Sequence, residues 1–295
     1  MFSRRHPYLF FMLIFSGIFS SFIVILTMLI VIGASDSTFE TGEVVGVVEI
    51  NGVIADSKEI LKNIVDFRKN SDVKAIVIRI NSPGGGVGAS QEIYAEIVKT
   101  SKVKKVIASF GGVAASGGYY VASAADGIIS SQGTITGSIG VIMAYTNFKE
   151  LLDKIGLVPV VIKSGEYKDV GSPVRDLTEK DKAILQSLAT VIHNQFISDV
   201  AAGRKMEIEK VTEIADGRIF SGAEAKDLGL VDKIGNFEDA VEWAGRLGGI
   251  KGEIVAVYPK QDKLSFLKYL AESSVQNFIT NSFSQSLKAD YLYKP

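Results

Sequence analysis

Two glycine-rich stretches hold residues whose types and spacing could carry chemistry. In Gly111-Gly112-Val113-Ala114-Ala115-Ser116-Gly117-Gly118 one serine stands among small residues, which leaves room for a carbonyl beside its hydroxyl. If a helix starts after Ser116, its unpaired N–H groups and positive dipole end face the oxyanion that serine attack creates, with the Gly117 amide nearest. A plain N-cap in a small-residue packing site fits the same residues, and for a lone serine it is the commoner arrangement. Upstream, Asn81-Ser82-Pro83-Gly84-Gly85-Gly86 lacks the Cβ atoms that keep a ligand away from backbone amides. It fits an oxyanion-binding loop and a tight turn equally. Gly84, Gly86 and Ala89 also match a dinucleotide-binding fingerprint, but no acidic residue ends the next strand at Ser109-Phe110-Gly111. A Walker phosphate loop is absent as well.

A serine hydroxyl needs a group that takes its proton. The chain has no cysteine and two histidines: His6 beside the N-terminus and His193 in a helical pattern, neither near a nucleophile motif. A lysine amine is the remaining base of suitable type, effective only when desolvation favours its neutral form. Lys163-Ser164-Gly165-Glu166-Tyr167-Lys168-Asp169 offers two, directly after the apolar strand expected over Val158 to Ile162. Spacing alone leaves both lysines open, as bases or as solvated charges. The residues by themselves reach a Ser/Lys hydrolase and stop there.

The elements that must position these groups follow from periodicity. Strand-like runs at Val44 to Ile50, Ala75 to Ile80, Lys105 to Phe110, Gly127 to Ser130 and Ile139 to Ala144 alternate with helical spacing at Ile60, Ile64 and Phe67 and at Ile93, Ile97 and Val98. That order predicts an α/β fold with a largely parallel sheet, buried on both faces where Ile76-Val77-Ile78 runs. Thr178 with Asp181 and Ser221 with Glu224 form capping boxes. The first opens a helix with Ile184, Leu188, Ile192, Phe196 and Val200 on one stripe and Gly203 as its stop. Beyond Lys260, Leu264, Leu267, Ala271, Val275 and Phe278 predict a helical tail.

The 295 residues carry 32 Lys and Arg against 33 Asp and Glu, so no basic excess exists to hold nucleic acid. Tyr8 to Ile32 is uncharged and apolar, long enough to cross a hydrocarbon core about 30 Å thick. A cleaved signal peptide ending near Gly33-Ala34-Ser35 is the other reading of that run. Arg4 and Arg5 before it, and Asp36, Glu40 and Glu43 after it, predict a cytoplasmic N-terminus with the rest of the chain outside the cytoplasm.

Taken together, Asn81 to Gly86, Ala114 to Tyr120, Thr136-Gly137-Ser138-Ile139-Gly140-Val141, Ser164 to Asp169 with Ser172-Pro173, and Asp216-Gly217-Arg218 leading to Gly229-Leu230-Val231-Asp232 resemble the signal peptide peptidase A family, in its short single-repeat bacterial form. The resemblance runs from about Val44 to Leu247. It implies a spiral of β-β-α units shared with the Clp protease and crotonase groups. On matching positions it implies Ser116 as nucleophile, Lys168 as general base, Ser138 as the hydroxyl that holds the lysine amine, and Gly85 and Gly117 as oxyanion donors. No cofactor or metal is implied. The expected organisation is a stub and transmembrane anchor over residues 1–33, a linker over 34–43, a protease domain over 44–260 and a helical tail over 261–295. The expected function is degradation of remnant signal peptides at the bacterial cytoplasmic membrane, by a ring-shaped homo-oligomer whose protomers share each dyad. A crotonase-type acyl-CoA enzyme and a non-catalytic membrane scaffold are the alternatives.

Overall fold

The computed structural model describes residues 5–34, 42–259 and 289–292. The N-terminal helix α1 (Pro7–Ala34) belongs to one body, and the described residues from Glu43 onward form a second. At 1.5 Å per residue, the 28 residues of α1 span about 42 Å. From Tyr8 to Leu26 it carries no charge, its side chains are mostly apolar, and all are exposed. Among the described residues it is the one helix long and apolar enough to cross a membrane.

The second body alternates strands and helices in the predicted order. It runs β1 (Val44–Asn51), α2 (Lys58–Lys69), β2 (Val73–Ser82), β3 (Gly84–Gly86), α3 (Val87–Ser101), β4 (Lys105–Ala115), α4 (Gly117–Ala122) and β5 (Gly127–Ser130). Then follow β6 (Ile135–Gly137), β7 (Ile142–Met143), α5 (Lys149–Lys154), α6 (Glu179–Arg204), α7 (Ile208–Ile214), β8 (Ile219–Ser221), α8 (Gly222–Asp227), β9 (Lys233–Ile234), α9 (Phe237–Leu247), β10 (Val255–Val257) and β11 (Ala289–Leu292).

The main sheet has eight strands: the path β10-β1-β2-β4-β5-β9 is parallel, β6 joins β4 in parallel, and β8 pairs antiparallel with β6. β-branched residues fill its central strands and alternate between two cores. Ile76, Ile78 and Ile80 face a cluster with Ile64, Phe67, Ile93 and Ile97 of α2 and α3. Ala75, Val77 and Ile107 face Ala240, Val241 and Ala244 of α9. Each fully buried aliphatic side chain contributes roughly 1.5–3 kcal/mol. Gly46 of β1 lies under the Phe67 ring, where a Cβ would come within 2.7 Å of it.

Four expectations are corrected. Gly203 does not stop α6, which continues to Arg204 and ends on Lys205 in the left-handed region (φ 53°). Gly203 instead permits close approach, since a Cβ there would sit 2.0 Å from the Ser123 carbonyl oxygen. The stripe along α6 buries only its later part, with Phe196 and Val200 in the core and Ile184 and Leu188 exposed. Val158 to Ile162 forms no strand: Val158, Val160 and Ile162 are 82%, 84% and 97% exposed. The run expected over Ile139 to Ala144 narrows to β7. In the tail, the helical pattern from Leu264 to Phe278 lies outside the described residues, and residues 289–292 form a strand. That strand pairs antiparallel with β3 on one side and β7 on the other, making a second, three-stranded sheet.

Candidate active site

The parallel strands deliver their C-terminal ends to one place, the usual location of a site in an open α/β sheet. β4 ends at Ala115, and Ser116 then turns the chain into α4 with φ 52° and ψ −117°. A non-glycine residue there stores roughly 1–3 kcal/mol of strain, a feature concentrated at functional sites. The strain is held by neighbours: the Ser116 amide donates to the Gly137 carbonyl oxygen at 2.8 Å, and its own carbonyl accepts from the Tyr120 amide at 2.8 Å. The expectation of a side-chain N-cap fails, because the hydroxyl makes no capping bond to α4. Ser116 is 1% exposed.

The glycine loop lies beside it because β2 and β4 pair to their ends, with Ser82 opposite Ala114. A Cβ on Gly118 would approach the Ser82 carbonyl oxygen to 2.9 Å, so α4 sits directly on this loop. Gly84 needs its positive φ of 101° to leave the turn, and the Ser82 hydroxyl accepts from its amide at 3.1 Å. The Ile54 amide donates to the Gly84 carbonyl at 2.9 Å and the Gly86 amide to the Ile54 carbonyl at 2.8 Å. Because successive backbone groups alternate along a strand, the Gly85 amide faces the opposite edge, where Tyr291 of β11 is its register partner. A Cβ on Gly85 would lie 2.2 Å from the Ile54 carbonyl oxygen.

Ser138 arrives through β6, which pairs with the last residues of β4, Ala115 opposite Gly137. It too has φ 52°. Its amide donates to the Arg218 carbonyl at 2.8 Å, which gives the Asp216-Gly217-Arg218 motif a positional role that residue chemistry alone did not reveal. Ser116, Ser138, Gly85 and Gly117 are thus gathered by β2, β3, β4 and β6.

Lys168 is placed differently, on an exposed turn that precedes α6. Lys163, its rival, is engaged, donating to Asp169 at 2.7 Å and to the Glu166 carbonyl at 2.8 Å. Among the described residues the Lys168 amine and the hydroxyls of Ser116 and Ser138 make no hydrogen bond. His193 has a buried Nε2 with no partner, so it serves no serine either. The turn's anchor escaped the sequence reading: the Arg175 guanidinium reaches both Asp169 and Asp181. Arg175, and after it Lys163, hold the Asp169 carboxyl well below the usual carboxylate range. Arg175 and the Thr178 amide lower that of Asp181 to about 2.

This arrangement offers a strained buried hydroxyl, backbone donors beside it and a strand edge, with no cluster of charged side chains among them. It suits acyl transfer to serine on an extended polypeptide.

Comparison with known proteins points to a peptidase. The model of peptidase family S49 matches residues 98–251, and that of Clp protease matches residues 37–130. A protein of Synechocystis sp. that bears the provisional name of a protease is 43% identical over 246 residues, covering 82% of this chain and 88% of that one. A protein of Enterococcus faecium provisionally named signal peptide peptidase SppA is 38% identical over 207 residues, 65% of this chain and 60% of that one. Protease 4 of Salmonella typhi is 34% identical over 260 residues, 85% of this chain and 40% of that longer one.

Proposed function

The chain belongs to peptidase family S49, and on that premise we propose that it is a membrane-anchored serine endopeptidase that degrades remnant signal peptides with a Ser116/Lys168 dyad. The observation that carries the reading is Ser116 itself. A buried serine held at positive φ, between a glycine-lined strand and the start of α4, costs stability that packing alone does not require.

In the proposed mechanism the neutral Lys168 amine takes the Ser116 proton while Oγ attacks the peptide carbonyl carbon. The oxyanion accepts hydrogen bonds from the Gly85 and Gly117 amides. As the C–N bond breaks, the Lys168 ammonium returns its proton to the leaving amine, and an acyl ester remains on Ser116. Water, deprotonated by the same amine, then releases the acid and restores the serine. Ser138 holds the amine in line. No nucleotide or metal takes part in these steps.

We further infer that each dyad joins two protomers. In support, the Lys168 turn is exposed, and the apolar residues that lead into it, Val158, Val160 and Ile162, are exposed with it. A head-to-tail contact through that surface closes into a ring. The proposed organisation keeps residues 1–33 as anchor with the N-terminus in the cytoplasm, 34–43 as linker, 44–260 as protease domain and 261–295 as tail. α1 supports the anchor.

The test uses a fluorophosphonate probe and a refolding mixture. The probe should label Ser116 alone, and Ser116→Ala and Lys168→Ala should each abolish peptide cleavage. Equal amounts of the two inactive chains, unfolded and refolded together, should regain about a quarter of wild-type activity, because random assembly joins an intact Ser116 to an intact Lys168 at that fraction of heterologous interfaces. Labelling elsewhere sinks the dyad; mixed oligomers without activity sink only the sharing.

A further inference from the structure

The turn that carries Lys168 is fastened one residue away from the amine. It contains Gly165 and Gly171, the latter at φ 78°, and its internal backbone bonds are Lys168 to Gly165, Val170 to Tyr167 and Ser172 to Asp169, at 3.0–3.2 Å. An exposed turn with two glycines has many accessible conformations. Yet the Asp169 side chain is only 13% exposed. Its Oδ2 accepts from Arg175 Nε at 2.9 Å and its Oδ1 from Arg175 Nη2 at 2.9 Å and Lys163 Nζ at 2.7 Å. Arg175 Nη2 also donates to the Asp169 carbonyl at 3.1 Å. The remaining arm, Nη1, donates to Asp181 Oδ2 at 2.6 Å and to the Asp176 carbonyl at 3.0 Å. Asp181 is buried in the first turn of α6, in a capping box with Thr178. One guanidinium therefore ties both the side chain and the backbone of Asp169 to a 26-residue helix.

We propose that Arg175 is a positioning residue for Lys168, fixing the turn by its forked contact and absorbing the Asp169 charge next to the amine. The proposal rests on Lys168 as the general base. Two effects follow from the geometry. A planar fork fixes direction where a point charge does not, so the turn presents Lys168 in one orientation. Without Arg175, Lys163 is the one cation left on the Asp169 carboxylate, and the less compensated negative charge beside Lys168 would favour the ammonium form, which cannot accept a proton. The other charged or titratable groups around the turn are Lys163, Glu166 and Tyr167 within it, Asp176 after it, and Lys180 and Asp181 on α6. Lys180 is occupied by Glu166. Of these cations only Arg175 spans Asp169 and α6.

The experiment measures kcat and KM against pH for the full chain in detergent, with a quenched fluorogenic apolar peptide, comparing wild type, Arg175→Gln, Arg175→Lys and Lys168→Ala. Arg175→Gln should lower kcat by about a hundredfold, the scale of a misplaced catalytic group, with KM little changed. The limb on which activity rises with pH, as the general base loses its proton, should move to higher pH. Arg175→Lys keeps the charge without the fork, so its limb should stay near wild type while kcat recovers only in part. If Arg175→Gln fails to fold, Arg175→Lys decides: reduced kcat on an unmoved limb supports the proposal and wild-type kcat overturns it. A loss confined to KM, or an unmoved limb in Arg175→Gln, also overturns it. Inactive Lys168→Ala beside fully active Arg175 variants defeats the positioning role and leaves the base standing, whereas an active Lys168→Ala removes the base and this proposal together.

Discussion

The Ser116 amide donates to the carbonyl of Gly137 at 2.8 Å, which fixes the proposed nucleophile to the residue that precedes Ser138. Both serines have φ 52°, and β4 and β6 end side by side to hold them there. Strain in one is therefore supported by the same hydrogen-bonded frame as strain in the other. Rigid strand ends place the serines and glycines, while the lysine rides on a turn. The predictions below separate those two parts of the site.

Gly85→Ala should fail by collision with backbone. Its Cβ would stand 2.2 Å from the Ile54 carbonyl oxygen and 2.6 Å from Ile54 N and C, so β3 must move. Loss of one oxyanion donor costs about 10²–10³ in kcat, and the melting temperature should drop as well. Gly88→Ala, which meets nothing within 4 Å, should fold and cleave normally. Wild-type kcat in Gly85→Ala would remove Gly85 from the oxyanion site.

Ser138→Ala should slow peptide cleavage by roughly three- to tenfold, the worth of one positioning hydrogen bond. Stability should barely change, since the hydroxyl has no partner within the chain among the described residues. Parallel kinetics and thermal melts check this, and unchanged turnover contradicts the positioning role.

Acid should release the clamp on the lysine turn. Asp169 and Asp181 have folded pKa values below the roughly 3.9 of a free aspartate. Each then binds fewer protons folded than unfolded, so its stabilisation is complete above about pH 4 and disappears as pH falls through the folded value. For Asp181 the window runs down to about 2. The melting temperature should fall across it, and less steeply in Asp181→Asn. Equal slopes in the two proteins would show that the Arg175–Asp181 contact adds nothing to folding.

Removing residues 289–295 should lower KM several-fold with little effect on kcat. β11 runs antiparallel along Gly84–Gly86 and Ile142–Met143, the edge to which an extended substrate would add as a strand. A synthetic peptide of residues 286–295 should inhibit the shortened enzyme competitively. If KM stays put and the peptide does nothing, the tail and the substrate do not share that edge.

Much of the scaffold was legible before any coordinates because its signals are local. Val44 to Ile50, Ala75 to Ile80 and Lys105 to Phe110 became β1, β2 and β4, since runs of β-branched residues suit a sheet covered on both faces. The capping boxes Thr178/Asp181 and Ser221/Glu224 formed as read, because their bonds close within three residues.

The sequence by itself thus determined the parallel α/β scaffold and the strand end on which Ser116 stands. The tertiary structure decided what depends on partners far along the chain. Gly203 reads as a helix stop until Ser123, 80 residues earlier, is seen against it. Val158 to Ile162 has the composition of a strand but pairs with no edge among the described residues, while Ala289–Leu292 finds one between β3 and β7. Backbone pairing is set by which edges are left open, and composition carries no record of that. Arg175, one charge among 32 cationic residues, acquires its place only when the turn and the start of α6 bring Asp169 and Asp181 within reach of one guanidinium.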